Sequence, residues 1–243
     1  MSADRLSIYR YSTDVMNLPT YLAKLDRLSY IDIIQPIEEG TARILIADES
    51  GILIKINDAT FAVAVFDEHQ VERFAQALLP FTSHVAVHEG PLLEYFLSEG
   101  LQPSLRCIQA VYTSNEFLPV DSHLTIRPIE EADIELVLTY YKHADEAYIR
   151  ERVHSQTMIG IEIDGSLAAF MGRHSEGTMG LLEVLPQYRR RHLGQELEKA
   201  YINRLLAQNL VPFCHVESEN TASLALQRKL GLVFADQRIY WFG

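Results

Sequence analysis

The chain lacks most of what would tie it to an oxidising compartment, a bilayer or a polyanion. It has two cysteines in 243 residues, Cys107 and Cys214, far apart and with no CxxC pair or clustered histidines. The expectation is two reduced, buried thiols, no disulfide and no metal site, in a reducing compartment such as the cytoplasm. Apolar runs are short: Phe61–Phe66 is typical, against the ~20 residues a membrane helix needs. The start, Met1-Ser-Ala-Asp-Arg5, has neither the basic flank nor the apolar stretch of a signal peptide. Basic residues are scarce, 21 Lys and Arg against 33 Asp and Glu, for a net charge of −12 and a pI near 5.2. That balance opposes binding to nucleic acid or an anionic membrane surface. What is present, 48% hydrophobic and 22% charged residues, is ordinary for a folded protein and enough for one large domain or two small ones.

The order of elements favours two. The polar stretch Asn115–His123, with Pro119 inside it, separates two strand-like runs and reads as a linker at 119–123 between lobes 1–118 and 124–243. In the first lobe, Leu6–Tyr9 reads as a strand and Val15–Leu28 as a helix. Thr41–Ala47 and Gly51–Ile56 read as a hairpin, and Phe61–Phe66 as a strand. Val71–Leu79, His84–Val87, Leu92–Ser98 and Leu105–Tyr112 then read as helix, strand, helix and closing strand. In the second, a strand at Leu124–Pro128 precedes helical spacing at Ala132–His143 and at about 145–154. Met158–Ile163 and Leu167–Arg173 flank Asp164-Gly165, a two-residue hairpin signal. Thr178–Val184 is a strand, Leu193–Gln208 a helix, Val211–Val216 a strand, Asn220–Leu230 a helix ended by Gly231, and Leu232–Phe242 a last strand or strand pair. Shifting the chain so that His84-Val85 falls on His215-Val216 also places Leu93 on Leu224 and Gly100-Leu101 on Gly231-Leu232. With the shared order of elements this favours a duplication.

The segment that stands out is Leu182-Glu-Val-Leu-Pro-Gln-Tyr188-Arg189-Arg190-Arg191-His192-Leu193-Gly194-Gln195. A strand ends, a tight turn holds three adjacent arginines, and a helix begins at a glycine. Free N–H groups and the positive end of the helix dipole favour a phosphate at such a place. Arginines add bidentate, charge-assisted contacts, and glycine admits a close approach to the backbone. In so acidic a chain, three consecutive arginines at such a turn are unexpected on structural grounds alone; a solvated basic cap is the alternative reading.

This segment resembles the acetyl-CoA motif of the GNAT acetyltransferase superfamily, Q/R-x-x-G-x-G/A after a V-x-P-x-Y strand end. Downstream, Asn220-Thr-Ala-Ser223-Leu-Ala-Leu226-Gln227-Arg-Lys-Leu230-Gly231-Leu232 resembles the superfamily's N-x-x-A/S-x-x-L-Y-x-K-L-G-F. The resemblance covers about 124–243 and is closest to the branch with the glycine N-acyltransferases; the first lobe resembles a degenerate GNAT lobe without the phosphate loop. It implies an α/β (α+β) tandem GNAT fold, each lobe a mixed, mostly antiparallel sheet flanked by helices. It further implies acetyl-CoA as cosubstrate, an amine acceptor, and a monomer or homodimer. The implied coenzyme contacts are the backbone of Leu182 and Val184, the turn Arg189, Arg190, Arg191 and His192, the helix start Leu193, Gly194 and Gln195, and then Asn220 and Ser223, which as plain helix caps would need no ligand.

Three departures bear on the chemistry. His192 stands at the loop's first glycine position. Gln195 replaces a frequent arginine or lysine. Gln227 stands where the superfamily commonly has a tyrosine that protonates the leaving thiolate; an amide can hydrogen-bond sulfur but cannot act as an acid. For the base that takes the ammonium proton, His215 and Glu183 are the candidates; a histidine simply satisfied between strands, and a Glu183 turned to the opposite sheet face, are the plainer readings. Tyr140, Tyr141 and Tyr148 fall on the helices that cover the acceptor site in the superfamily. The expected activity is N-acyl transfer from an acyl-CoA to a primary amine of a small molecule or amino acid. A non-catalytic acyl-CoA-binding or interaction module, and a protein lysine or N-terminal acetyltransferase, are the alternatives.

Overall fold

The computed structural model describes residues 21–57, 59–78 and 84–243. The chain forms two compact units, one of residues 1–105 with 240–243, the other of 106–239.

In the first unit, α1 (Arg27–Glu38) starts at Asp26, whose carboxylate accepts from the N–H groups of Leu28 and Ser29. It is kinked at Tyr30, carries Pro36 and buries Ile31, Ile33 and Ile34. The strands β1 (Arg43–Asp48), β2 (Gly51–Lys55), β3 (Thr60–Val65) and β4 (His84–His88) form a sheet in that order. The β1/β2 and β2/β3 pairs are antiparallel, and β3/β4 is parallel. Two helices, α2 (Val71–Leu78) and α3 (Pro91–Ser98), supply Phe74, Leu92 and Leu93 to a core with Phe61, Val63 and Val87, which Phe242 closes. The expected strand at Leu6–Tyr9 lies outside the described residues, as does the first part, 15–20, of the expected helix at Val15–Leu28; over 21–28 the chain turns before a new helix starts. The helix that is described begins at Arg27, where the expected one ends. Its β-branched isoleucines and internal proline conceal the helical period.

In the second unit, β5 (Leu105–Val111, from Arg106 onward) pairs antiparallel with β10 (Phe213–Glu217), so the strand expected to close the first half finds its partner here. The final strand β11 (Val233–Phe242, to Ile239 in this unit) flanks β5 on its other edge. A second, wholly antiparallel sheet has the order β6 (Thr125–Pro128), β7 (Met158–Ile163), β8 (Ser166–Arg173), β9 (Met179–Val184). The β7/β8 turn is Asp164-Gly165 with φ of +50° and +73°, the conformation that Asp-Gly tolerates in two-residue hairpins. One face of this sheet buries Leu167, Phe170 and Leu181 against α4 (Ile134–Tyr140) and α5 (Glu146–His154). The other packs Ile159, Ile161 and Met171 against α6 (Leu193–Ala207), which contributes Leu193, Leu197, Tyr201 and Leu205. The same core takes Cys214 and Val216 from β10, and Leu224 and Leu230 from α7 (Thr221–Leu230). The α/β class, with a mixed and an antiparallel sheet flanked by helices, is as expected. Both cysteines are free and buried, and burial pushes the Cys107 thiol up to about 12.

Candidate functional site

The site grows from an irregularity in β9. Opposite β8, Glu183 pairs with Phe170 and Gly180 with Gly172. Two residues, Leu181 and Leu182, therefore face Met171 alone. Leu181 takes up the extra length with φ +54°, the signature of a β-bulge, which bends its strand and re-aims its side chains. On the α6 side of the bulge, Met179, Leu182 and Val184 join the core; on the α4/α5 side, Leu181 and Leu185 do. Alternation therefore turns Glu183 to the face opposite α6.

β9 ends one sheet and β10 the other, and no ladder joins them. The N–H of Leu185 bonds across to Ala168, so the period of two turns the amides of Leu182 and Val184 to the open edge of β9. These are the two backbone positions expected to meet a thioester.

Beyond β9 the chain makes a short 3-10 turn, Pro186–Tyr188, and then the arginine turn. Arg189 folds back on the strand: its Nε donates to the Val184 carbonyl at 3.0 Å and its Nη2 to the Glu183 carboxylate at 2.9 Å. Arg190 and His192 both lie in the left-handed region, φ +64° and +59°. His192 is the N-cap of α6 but gives no side-chain cap. The N–H groups of Leu193, Gly194 and Gln195 thus have no intrahelical acceptor. The side chains of Arg190, Arg191 and His192 are exposed, with the Arg191 guanidinium 5.6 Å from the Tyr188 ring centroid. A Cβ on Gly194 would lie 3.4 Å from a Val184 methyl, an ordinary contact, so the start of α6 sits against the end of β9. A cavity of ≈ 400 Å³ opens beside this helix start, lined among others by Arg191, His192, Leu193, Gln195 and Lys229. Orphan N–H groups, the exposed Arg190 and Arg191, and a glycine at one strand end form a donor set suited to a diphosphate. Lys229 joins it from the end of α7; its place in the K-L-G run was the available signal.

The remaining candidates are distributed around the gap. Asn220 caps α7, its Oδ1 accepting from the Ser223 N–H at 3.0 Å, so the Asn220 carbonyl and the Ser223 backbone are engaged in the cap. His215 is half-buried, its Nε2 3.1 Å from Oε1 of Gln109 on the paired strand. It points away from the α6 core, which takes its neighbours Cys214 and Val216. Gln227 is buried and hydrogen-bonded to Glu198 of α6. Tyr140 and Tyr141 pack on the α4/α5 side.

Sequence reasoning passed over His174. Its Nδ1 lies 2.9 Å from the Tyr148 hydroxyl, which also accepts from the Ser175 N–H at 3.2 Å. The imidazole rests against Gly180, just before the bulge, where a Cβ would sit 2.5 Å from Nε2. Burial, then the nearby Glu176 carboxylate, raises the Tyr148 phenol well above its usual range, so it stays protonated and keeps a proton to share with Nδ1. The only signal was the adjacency of His174 to a strand end; nothing in the spacing tied it to Tyr148. Among the described residues no group of three or more His, Cys, Asp or Glu side chains could hold a metal ion, and no helix is long and apolar enough to cross a membrane.

Residues 160–242 match the family model described as FR47-like protein. Comparison with curated proteins returns no match. Among solved structures, a Drosophila protein superposes with a TM-score of 0.61 at 19% identity, over 79% of this chain and 74% of that one. A GCN5-related N-acetyltransferase from Kribbella flavida gives 0.58 at 14% identity, over 88% and 95%. A GNAT-family acetyltransferase from Colwellia psychrerythraea gives 0.52 at 14% identity, over 93% and 95%. The match and the superpositions agree on one result: this chain has the fold of the GNAT acetyltransferases.

Proposed function

We propose that the second unit binds acetyl-CoA, or another short acyl-CoA, at the arginine turn and transfers its acyl group to a primary amine of a small molecule or amino acid. The observation that carries this reading is the turn itself: Arg190, Arg191 and the uncapped start of α6 follow directly on the end of β9, beside the gap between the two sheets. In this reading Arg190 and Arg191, with the N–H groups of Leu193, Gly194 and Gln195, hold the diphosphate. The free edge at Leu182 and Val184 takes the pantetheine arm and offers an N–H toward the thioester carbonyl. His215 or Glu183 accepts the ammonium proton. The FR47-like match over the same residues supports the reading. The domain division at 119–123, a diverged N-terminal lobe without a phosphate loop, the kinship with glycine N-acyltransferases and a cytoplasmic location belong to it as well.

The test is calorimetry with acetyl-CoA on wild type and on Arg190→Ala/Arg191→Ala. Wild type should bind in the micromolar range and the double variant at least tenfold more weakly, ~1.4 kcal/mol. Equal affinities would take the arginines out of the site. A second reading, an acyl-CoA-binding module without catalysis, is favoured by one observation: Gln227 is no acid and is engaged with Glu198. Stabilisation by acetyl-CoA with no thiol released across a panel of amines would establish it.

A further inference from the structure

The acyl-transfer reading leaves one proton without a source, the one the departing thiolate needs. A buried acid lies beneath the helix that starts at the arginine turn. Glu198 is 2% exposed and Gln227 3%. The two are hydrogen-bonded to each other, the amide of Gln227 donating. Glu198 Oε2 and Gln227 Oε1 are also buried, and neither has a partner among the described residues. Bare buried acceptors are costly, and a proton on the carboxyl lets Glu198 donate. Burial pushes this carboxyl up to about 7, against the hydrogen bond from Gln227, so the acid form is well populated near neutral pH.

The position follows from two contacts of α6. Gly194 lies against Val184 of β9. Glu198, about one turn further on, is near enough to Cys214 of β10 to reinforce the effect of burial in raising that thiol. The helix thus starts against β9 and, on its buried face, carries Glu198 to the neighbourhood of Cys214 on β10, the strands on either side of the gap. The titratable group facing Glu198 from β10 is the Cys214 thiol; α7 presents the neutral Gln227.

The geometry points to Glu198 as the acid that protonates the leaving thiolate, a role that rests on the acyl-transfer reading. The amine nitrogen bonds to the acyl carbon, the C–S bond breaks, and its electron pair stays on sulfur. The Glu198 O–H proton passes to that sulfur, giving the free thiol. The Glu198 carboxylate left behind accepts the Gln227 N–H and regains a proton from those the amine has released.

Glu198→Gln keeps the shape and removes the acid. Its kcat for acetyl transfer should fall roughly 100-fold, within the usual range for a general acid, with acetyl-CoA affinity retained. The alkaline limb of the wild-type rate profile should disappear. Adding Gln227→Tyr to Glu198→Gln should restore part of the rate by supplying a phenol. In parallel, infrared difference spectra of the carboxyl, with Glu198→Gln as reference, should show its titration shift when free coenzyme A binds the wild type. Unchanged kcat and pH profile in Glu198→Gln, or a titration indifferent to bound coenzyme, would overturn the role of Glu198 and leave the acyl-transfer reading standing. A wild type that does not bind the coenzyme would overturn both.

Discussion

Arg189 is tied to Glu183, the guanidinium 2.9 Å from the carboxylate, while the same side chain also bonds the Val184 carbonyl. The side chain that opens the turn thereby holds the turn to the strand it leaves. With side-chain exposures of 58% and 25%, the pair contributes little to global stability, under ~1 kcal/mol. Arg189→Ala should leave the melting temperature almost unchanged, yet weaken acetyl-CoA binding about tenfold because the loop loses its anchor. Thermal melts beside calorimetry separate the two effects, and a loss of several degrees with binding intact would contradict this division.

His192 takes a backbone conformation with φ +59° that L side chains enter at a cost and glycine does not. His192→Gly should be neutral to stabilising, by up to ~1 kcal/mol or a few degrees, and should keep or tighten acetyl-CoA binding. His192→Val, β-branched, should lose both stability and affinity. A weakened glycine variant would show that the imidazole itself contacts the ligand.

Gly180 leaves room for the His174 ring. Gly180→Ala would place a Cβ 2.5 Å from Nε2, expelling the imidazole and breaking its bond to Tyr148 at a cost of ~1–3 kcal/mol. Tyr148→Phe, which removes only the hydroxyl, should cost ~1 kcal/mol. Chemical denaturation of both variants should rank them in that order.

Glu198 carries a pH signature that does not depend on catalysis. Its carboxyl is raised by burial from the ordinary 4.5 to about 7 in the folded protein. Between those values the native state holds a proton that the unfolded chain has lost, so stability falls as pH rises through this window. Below about pH 4.5 both states are protonated and the penalty is absent. Glu198→Gln should therefore match wild type at pH 4 and exceed it at pH 8 by up to about 3 kcal/mol. Denaturation curves at the two pH values test this; a constant offset would refute it.

Much of the second unit was legible because its signals are local. Asp164-Gly165 marks a hairpin by backbone preference alone, and the run from Pro186 to Gly194 marks a strand end, a turn and a helix start. The bulge was not legible, since Leu181 adopts φ +54° without the glycine or asparagine that usually announces such a conformation; its trace is that Met179 and Leu182, three residues apart, share the α6 face, which unbroken alternation forbids. Glu198 was hidden for a different reason. The stripe Leu197, Tyr201, Leu205 explains α6 without it, and only its alignment with buried Ile202 and Leu205 hints that a carboxyl faces inward. His215 and Glu183 could be proposed from position, but their partners, Gln109 and Arg189, depend on strand register and on how the turn folds back. The helix Arg27–Glu38 shows the same limit, because burial of its isoleucines outweighs weak propensity.

The extra residue at Leu181–Leu182 has a consequence for which deletions β9 can absorb. The pairs on either side of it, Gly180 with Gly172 and Glu183 with Phe170, already match, so removing one of the two leucines would give an unbroken ladder and leave Glu183 and Val184 on the faces they now hold. What would go is the bend beside the open edge of β9. The surplus position thus sets the course on which the strand delivers the arginine turn, not the side of the sheet from which it emerges.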